Sequence, residues 1–328
     1  MIFLAQNRRT KRRQQREAKA SQRRVTEKAE GGLLSKVSSD WIVAGLIGGV
    51  VVIASVVFFF GQFVNRSSDS TPTFQQVHSL AVSPTNPDTL FIGDQSGLYR
   101  SVDKGEEWER VANVVSDVQD LFADPNDPNG LIASAAGFLY RSSDSGQTWS
   151  IISDNLPPNR IMALALDPAN PLILFASLEP PALYQSDDGG TNWGSVRSDD
   201  PATYLSLAVK AGDPSTVFGF DTRRGLVRSV DGGHSFAAVG SGIPAQGVSD
   251  ILTFAEEPET VFAVAQSEVY KSGDSGLTWE LSSSGLAGIS AVVLSRDANT
   301  DYLYVADRQG EVYVSRDGGG SWISSRFG

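Results

Sequence analysis

One octapeptide pattern, Ser-x-Asp-x-Gly-x-x-Trp, recurs through this chain of 328 residues. The copies read "SVDKGEEW" (101–108), "SSDSGQTW" (142–149), "SDDGGTNW" (186–193), "SVDGGHSF" (229–236), "SGDSGLTW" (272–279) and "SRDGGGSW" (315–322). Their starts lie 41, 44, 43, 43 and 43 residues apart. A period in this range is a signature of propeller blades and related repeat architectures. Five of the six tryptophans fill the last slot of the pattern, and only Trp41 lies elsewhere.

The rest of each unit repeats as well. An apolar run opens it ("SLAVS", "DLFAD", "ALALD", "SLAVK", "ILTFA", "AVVLS") and a turn follows, rich in Pro, Asp and Asn in the first three units. A second run comes next ("LFIGD", "LIASA", "LFASL", "VFGFD", "VFAVA", "LYVAD"), then a third ending in "GLYR", "FLYR", "ALYQ", "GLVR", "EVYK" or "EVYV" before the octapeptide. With the short segment after each tryptophan, every unit holds four brief strands bounded by turn residues. Four antiparallel strands repeated radially leave only short, protected sheet edges. The expected fold is therefore all-β, a six-bladed β-propeller over 74–328. Each unit carries its own four strands, so no exchange between the chain ends is evident, and "TPTFQQ" (71–76) is a candidate outer strand for the last blade.

Each slot of the octapeptide has a structural use. Ser101, Ser142, Ser186, Ser229, Ser272 and Ser315 offer a hydroxyl for local backbone bonds. Asp103, Asp144, Asp188, Asp231, Asp274 and Asp317 can accept from the N–H groups of their own turn. Gly105, Gly146, Gly190, Gly233, Gly276 and Gly319 permit positive φ. Trp108, Trp149, Trp193, Trp279 and Trp322, with Phe236 in the fourth copy, cover apolar surface beneath the turn. A calcium loop of the EF-hand kind needs about five ligand positions over 12 residues, and these copies supply one or two carboxylates. The chain has no cysteine, and His78 and His234 are not at ligand spacing, so neither a metal site nor a cofactor is expected.

The six copies resemble the Asp-box, or BNR repeat, of sialidases, of sortilin-type receptor ectodomains and of photosystem II stability/assembly factors. The resemblance covers about 74–328 and implies a propeller in which the boxes are fold-stabilising turns at the blade periphery, away from the active face. It implies little about chemistry. Sialidases hold a carboxylate with three arginines and carry an Arg-Ile-Pro motif. Here "NRIMALA" (159–165) has Met after Arg-Ile, and Arg100, Arg141 and Arg228 recur at one repeat position instead of converging. Tyr99, Tyr140, Tyr184, Tyr270 and Tyr313 also recur in register, as packing residues. No catalytic residues are assigned.

Charge is segregated along the chain. Residues 1–40 carry a net +7, residues 41–64 carry no charged group, and the remainder carries −18. The run "WIVAGLIGGVVVIASVVFFFGQFV" is 24 residues long, and as a helix it would reach about 36 Å, enough for a bilayer core of about 30 Å. It exceeds a signal-peptide apolar region and lacks a small-residue cleavage site. The expectation is one uncleaved transmembrane helix at 41–64, a basic cytoplasmic tail at 1–40 that contacts anionic lipid, a polar linker at 65–73, and an extracytoplasmic (periplasmic or extracellular) propeller anchored in the plasma membrane. The tail lacks interleaved aromatics and the domain is acidic, so nucleic acid is not an expected partner.

Function is then expected on the loops that do not repeat. The distinctive ones are "DQSG" (94–97), "LEPPA" (178–182), "DTRRG" (221–225) and "DRQG" (307–310), which nominate Asp94, Glu179, Asp221, Arg223, Arg224, Asp307 and Arg308 as binding residues. Arg223 and Arg224 stand out as an anchor for a carboxylate or acidic peptide in an acidic domain. The reading is a non-enzymatic scaffold or assembly factor that binds protein partners at the membrane or envelope. The photosystem-factor resemblance implies an arginine patch, of which this pair is a hint. The alternatives are a sialidase-like glycoside hydrolase and a surface receptor for a glycan or small ligand.

Overall fold

The computed structural model of the chain describes residues 72–114, 117–152, 155–197, 201–282, 286, 291–297 and 302–327. The expected tail (1–40), the expected span (41–64) and the linker up to residue 71 lie outside them. Among the described residues no helix is long and apolar enough to cross a membrane.

Each repeat forms one four-stranded antiparallel sheet in which chain order is also spatial order. Blade 1 is β1 (Val77–Val82), β2 (Leu90–Asp94), β3 (Gly97–Ser101) and β4 (Glu109–Arg110), and blade 2 is β5 (Val118–Ala123), β6 (Leu131–Ala135), β7 (Phe138–Ser142) and β8 (Ser150–Ile151). Blade 3 is β9 (Arg160–Asp167), β10 (Asn170–Glu179), β11 (Ala182–Ser186) and β12 (Gly194–Val196), and blade 4 is β13 (Ser206–Lys210), β14 (Asp213–Asp221), β15 (Gly225–Ser229) and β16 (Ala237–Ala238). Blade 5 is β17 (Val248–Thr253), β18 (Val261–Ala265), β19 (Glu268–Ser272) and β20 (Glu280–Leu281). Blade 6 is β21 (Ala291–Arg296), β22 (Leu303–Asp307), β23 (Val312–Ser315) and β24 (Ile323–Ser324). The first strands contact one another in succession, and β1 meets β21, so six blades close a ring.

The apolar core is divided among the six seams between blades. Phe91 and Leu98 of blade 1 pack with Leu121, Leu131 and Trp149 of blade 2. Phe218 and Leu226 of blade 4 pack with Ile251, Val261 and Trp279 of blade 5. The second strands lie inside this stack, and β2, β6, β18 and β22 are buried along their whole length. Their largely apolar composition follows from having a neighbouring blade on both faces.

The octapeptide is the turn between third and fourth strands. In every copy the Ser Oγ accepts the N–H of the box glycine at 2.8–2.9 Å and donates to the Asp Oδ1 at 2.7–2.9 Å. The same Oδ1 accepts the N–H four residues on, as in Asp144 with Thr148 (2.8 Å) and Asp317 with Ser321 (2.8 Å). The box glycines have φ between 77° and 93°, which a side chain would strain. The box aromatic does more than cover its own turn. Trp149, Trp193, Phe236, Trp279 and Trp322 each join the core shared with the preceding blade. A Cβ added to Gly146 would lie 2.4 Å from Phe91 of that neighbour, and one on Gly190 would lie 2.7 Å from Leu139. Each box is therefore a staple between blades.

Ring closure uses side chains instead of a strand. The segment 71–76 was a candidate outer strand, but residues 72–76 form none. Phe74 instead plugs the seam between blades 6 and 1, edge-on to Tyr99 (5.1 Å between centroids) and Trp108 (5.6 Å). At most other seams the linker between blades supplies such a plug, for example Val114, Ile243 and Leu286. The seam between blades 6 and 1 is instead the one where the two ends of the described domain meet. The C-terminal 3-10 turn (Ser325–Phe327) completes the seam, with Ser325 Oγ donating to the Lys104 carbonyl (2.6 Å) and Arg326 Nε to that of Gly105 (3.2 Å).

Two outcomes follow from this construction. Phe74→Ala should cost about 3–5 kcal/mol and lower the melting midpoint of the full chain by about 10 °C, read by circular dichroism. The acid limb should come from the boxes. Side-chain and backbone donors hold Asp144, Asp231, Asp274 and Asp317 at about 2, against an ordinary value of 3.8. Depressed carboxyls stabilise the fold above the unfolded value and lose that contribution as pH falls through the folded one. Melting midpoints should thus drop steeply between pH 4 and pH 2, and Thr278→Val, which removes a 2.6 Å donor to Asp274 Oδ2, should shift the drop to higher pH.

Candidate functional site

The antiparallel order puts two kinds of loop on each face. The box turns and the turns joining first to second strands share one face, and backbone bonds tie them together, as in Lys104 to Asp88 (2.9 Å) and Ser275 to Glu259 (2.8 Å). The opposite face carries the hairpins joining second to third strands, with the linkers between blades. Gln266 N–H bonds the Gly247 carbonyl (2.9 Å) and Asp117 N–H that of Gln95 (2.9 Å) across it. The acidity of the domain sits mainly on the box face, in the six box aspartates and in residues such as Asp88, Asp127, Glu256, Glu257 and Glu259. The hairpin face is where the arginines of the non-repeating loops emerge.

The nominated loop residues separate into two sets. Asp94, Asp221 and Asp307 are buried and serve their own hairpins. Asp94 accepts the N–H groups of Ser96 (2.7 Å), Gly97 (2.9 Å) and Gln75 (2.9 Å). Asp307 accepts those of Gln309 and Glu311, both at 2.9 Å, and burial lifts its carboxyl above the ordinary value. Asp221 accepts the Arg223 N–H (2.9 Å) and Arg224 Nε (2.7 Å). Burial works against its charge, yet these donors hold it below the ordinary value. Arg224 also donates to Tyr204 Oη (3.1 Å), so it braces the hairpin. Glu179 and Arg308 are exposed, and Arg223, also exposed, sets its Nη2 3.4 Å from Asp221 Oδ2.

The structure adds a second group that the repeat pattern did not nominate. Where the first strands of blades 1, 2 and 3 begin, at the mouth of the axial channel, His78, Asp117, Gln119 and Arg160 come together. Gln119 Nε2 donates to Asp117 Oδ1 (2.6 Å) and Arg160 Nη2 to Asp117 Oδ2 (3.3 Å). His78 Nδ1 lies 3.9 Å from Asp117 Oδ1, buried and without a hydrogen-bond partner. Burial lowers the His78 pKa despite the nearby Asp117 charge, which favours the neutral imidazole. Asp117 has φ of 44°, a conformation few side chains adopt and one that recurs at functional positions. Arg160 is half-exposed, stands across the sheet from Glu179, and keeps most of its fork open to solvent. At the matching register blades 3 and 4 offer Met162 and Leu205, the latter 42% exposed. The mouth is therefore polar and charged on one side and apolar on the other.

The recurring arginines stay in separate seams. Arg141 reaches the Gly189 carbonyl (3.4 Å), and Arg228 lies over Phe218 (6.0 Å). They form no convergent carboxylate clamp. No group of three potential ligands suited to a metal occurs among the described residues. A cavity of about 490 Å³ opens on the rim between blades 3 and 4, but Ser186, Asn192 and Trp193 of the third box line much of it.

Residues 68–208 match the family described as photosynthesis system II assembly factor YCF48. No curated protein matches the chain in sequence. Among solved structures, YCF48 from Cyanidioschyzon merolae is 15% identical, with 78% of this chain and 86% of that chain covered at a TM-score of 0.48. YCF48 bound to D1 peptide is 12% identical, with 73% and 77% covered at 0.48. The GH74 xyloglucanase from Xanthomonas campestris is 16% identical, with 77% of this chain and 48% of that chain covered at 0.52. At that identity the xyloglucanase likeness is one of fold.

The two hairpin arginines should behave differently. Arg224→Ala leaves the buried Asp221 short of a donor and should destabilise the domain by about 1–3 kcal/mol in chemical denaturation. Arg223→Ala, at an exposed position, should stay within about 0.5 kcal/mol of the parent.

Proposed function

We propose that this chain, an Asp-box (BNR-repeat) β-propeller, is a membrane-anchored extracytoplasmic scaffold that docks a polypeptide on its hairpin face during assembly of a membrane or envelope complex. One observation carries the reading. The groups that do not repeat gather on the face away from the boxes, with Arg160, Asp117, Gln119 and His78 at the channel mouth and Arg223 on the neighbouring rim. A guanidinium fork held by a carboxylate can bind main-chain carbonyls or a carboxylate side chain. Met162 and Leu205 give an adjoining apolar footing. Such a mixture suits an extended peptide better than it suits catalysis, which would need an acid and a base aimed at one reacting atom.

The family match over 68–208 points the same way, toward assembly. The apolar run at 41–64 would hold the propeller beside membrane partners, with the basic tail on the other side and in contact with anionic lipid.

Photo-cross-linking of the full chain in its own membranes tests the proposal. The set of captured polypeptides should change when Arg160→Glu is combined with Arg223→Glu, with the main species falling about tenfold, a loss of roughly 1.4 kcal/mol. Glu256→Lys with Glu257→Lys on the box face should leave the set intact. An unchanged set in the arginine variant would overturn the assignment of the face. Sustained sugar release from a panel of sialosides and xyloglucan would favour the glycoside hydrolase reading instead.

A further inference from the structure

Five of the first strands skip one residue as they pair with the second. Val77 opposes Asp94 and Ser79 opposes Gly93, so His78 is extra. Gln119, Met162, Ser249 and Val292 are skipped in the same way in blades 2, 3, 5 and 6. In blade 4, the Leu205 N–H bonds the Phe220 carbonyl (2.9 Å) while Ser206 pairs with the same Phe220, so two residues again oppose one. Such a bulge takes one side chain out of the alternation that pairing imposes, and bulges are enriched where a side chain is re-aimed at a site.

The six repeats act as an internal control on what each register must do. Two residues beyond the bulge stand Leu80, Leu121, Leu164, Leu207, Ile251 and Leu294, all aliphatic and all buried. The bulge register shows no such uniformity. His78, Gln119, Met162, Leu205 and Ser249 share no chemistry, and each keeps some contact with solvent. Their neighbours do not. Val77 and Ser79 are buried on either side of His78, Ile161 and Ala163 on either side of Met162, and Tyr204 and Ser206 on either side of Leu205. A side chain released from the seam is free to serve something else. Because the first strands contact one another in succession, the bulges ring the mouth.

We propose that the first-strand bulges form a specificity collar, and that its apolar sector, Met162 and Leu205, seats one aliphatic side chain of the docked polypeptide. The inference rests on the docking function proposed above and adds what is read there. Met162 and Leu205 come from adjacent blades, and packed sheets lie about 10 Å apart, a gap that one side chain from each wall and one from the guest can fill. Met162 suits such a seat, since its unbranched thioether adapts to more than one aliphatic shape. Arg160 stands two residues before Met162 on the same strand, with most of its fork open beyond the Asp117 contact. The segment that fits therefore carries an acidic residue within about two positions of the aliphatic one, matching charge to charge and apolar to apolar.

Two measurements on the full chain in detergent test the collar. Leu205→Ser should leave the melting midpoint within about 2 °C of the parent, whereas Leu207→Ala, two residues on, should lower it by about 10 °C. Equal losses would place Leu205 in the core and overturn the collar. The fluorescently tagged chain is then applied to an array of immobilised random heptapeptides. Retained peptides should be enriched about tenfold in Leu, Ile, Val or Met close to Asp or Glu. Leu205→Lys should turn the aliphatic preference toward acidic residues, and Ser249→Leu, which extends the apolar sector, should widen it to aromatic ones. Leu172→Lys, at a similarly exposed leucine away from the hairpin face, should leave the selection as it is. An aliphatic preference unmoved by Leu205→Lys overturns the collar and leaves docking standing. An array on which the parent chain retains nothing overturns the docking function as well.

Discussion

Everything in this domain depends on how an Asp-box turn is held against the blade before it. A sheet of four short strands cannot bury both of its faces alone, and its third-to-fourth turn would be a loose hairpin. The Ser–Asp–Gly hydrogen bonds fix that turn from within, and its aromatic ring enters the core of the preceding seam. Turn geometry and inter-blade packing are thus one interaction, repeated six times. The small variations fit this role. Trp149, Trp193 and Trp279 donate Nε1–H to their box glycine carbonyls at 3.2, 2.9 and 3.0 Å, whereas Phe236 removes the donor and packs against Tyr204 at 4.6 Å. The slot demands an aromatic body, and the polar handle is secondary.

The same interaction explains closure without strand exchange. If blades are joined by packed seams, the last seam needs a plug and a staple more than a shared strand. Phe74 is the plug and the C-terminal turn the staple. Gly310 records the fit, since a Cβ there would lie 2.1 Å from the Phe74 ring. The ends of the described domain meet at one seam, so its integrity depends on both.

The blade count, the four strands and the turn role of each box slot were legible because they are local and repeat in register. The destination of the tryptophans was not, because which blade a ring enters depends on contacts about one period away. Loop chemistry misled in a specific way. Asp94, Asp221 and Asp307 read as solvent-facing carboxylates on distinctive loops, yet each is buried and spends its oxygens largely on the N–H groups of its own hairpin, with Arg224 adding a side-chain donor at Asp221. Conversely, His78, Asp117, Gln119 and Arg160 are scattered over three repeats, and each looks ordinary alone. Comparing the repeats at the start of the first strand was the available signal. Gln76, Asp117, Arg160, Thr203 and Gly247 occupy one register there and share no chemistry, the opposite of the boxes.

Net charge carries a related lesson about averages. A domain at −18 looks hostile to an acidic partner, but box aspartates spend their oxygens on their own turns and lie on one face. The hairpin face holds arginines beyond the densest part of that field. At physiological ionic strength, screening over about 8 Å lets the local arrangement dominate there. On the function proposed, rigidity and recognition are separated by topology. The face with the boxes holds the ring together, and the other face is free to vary.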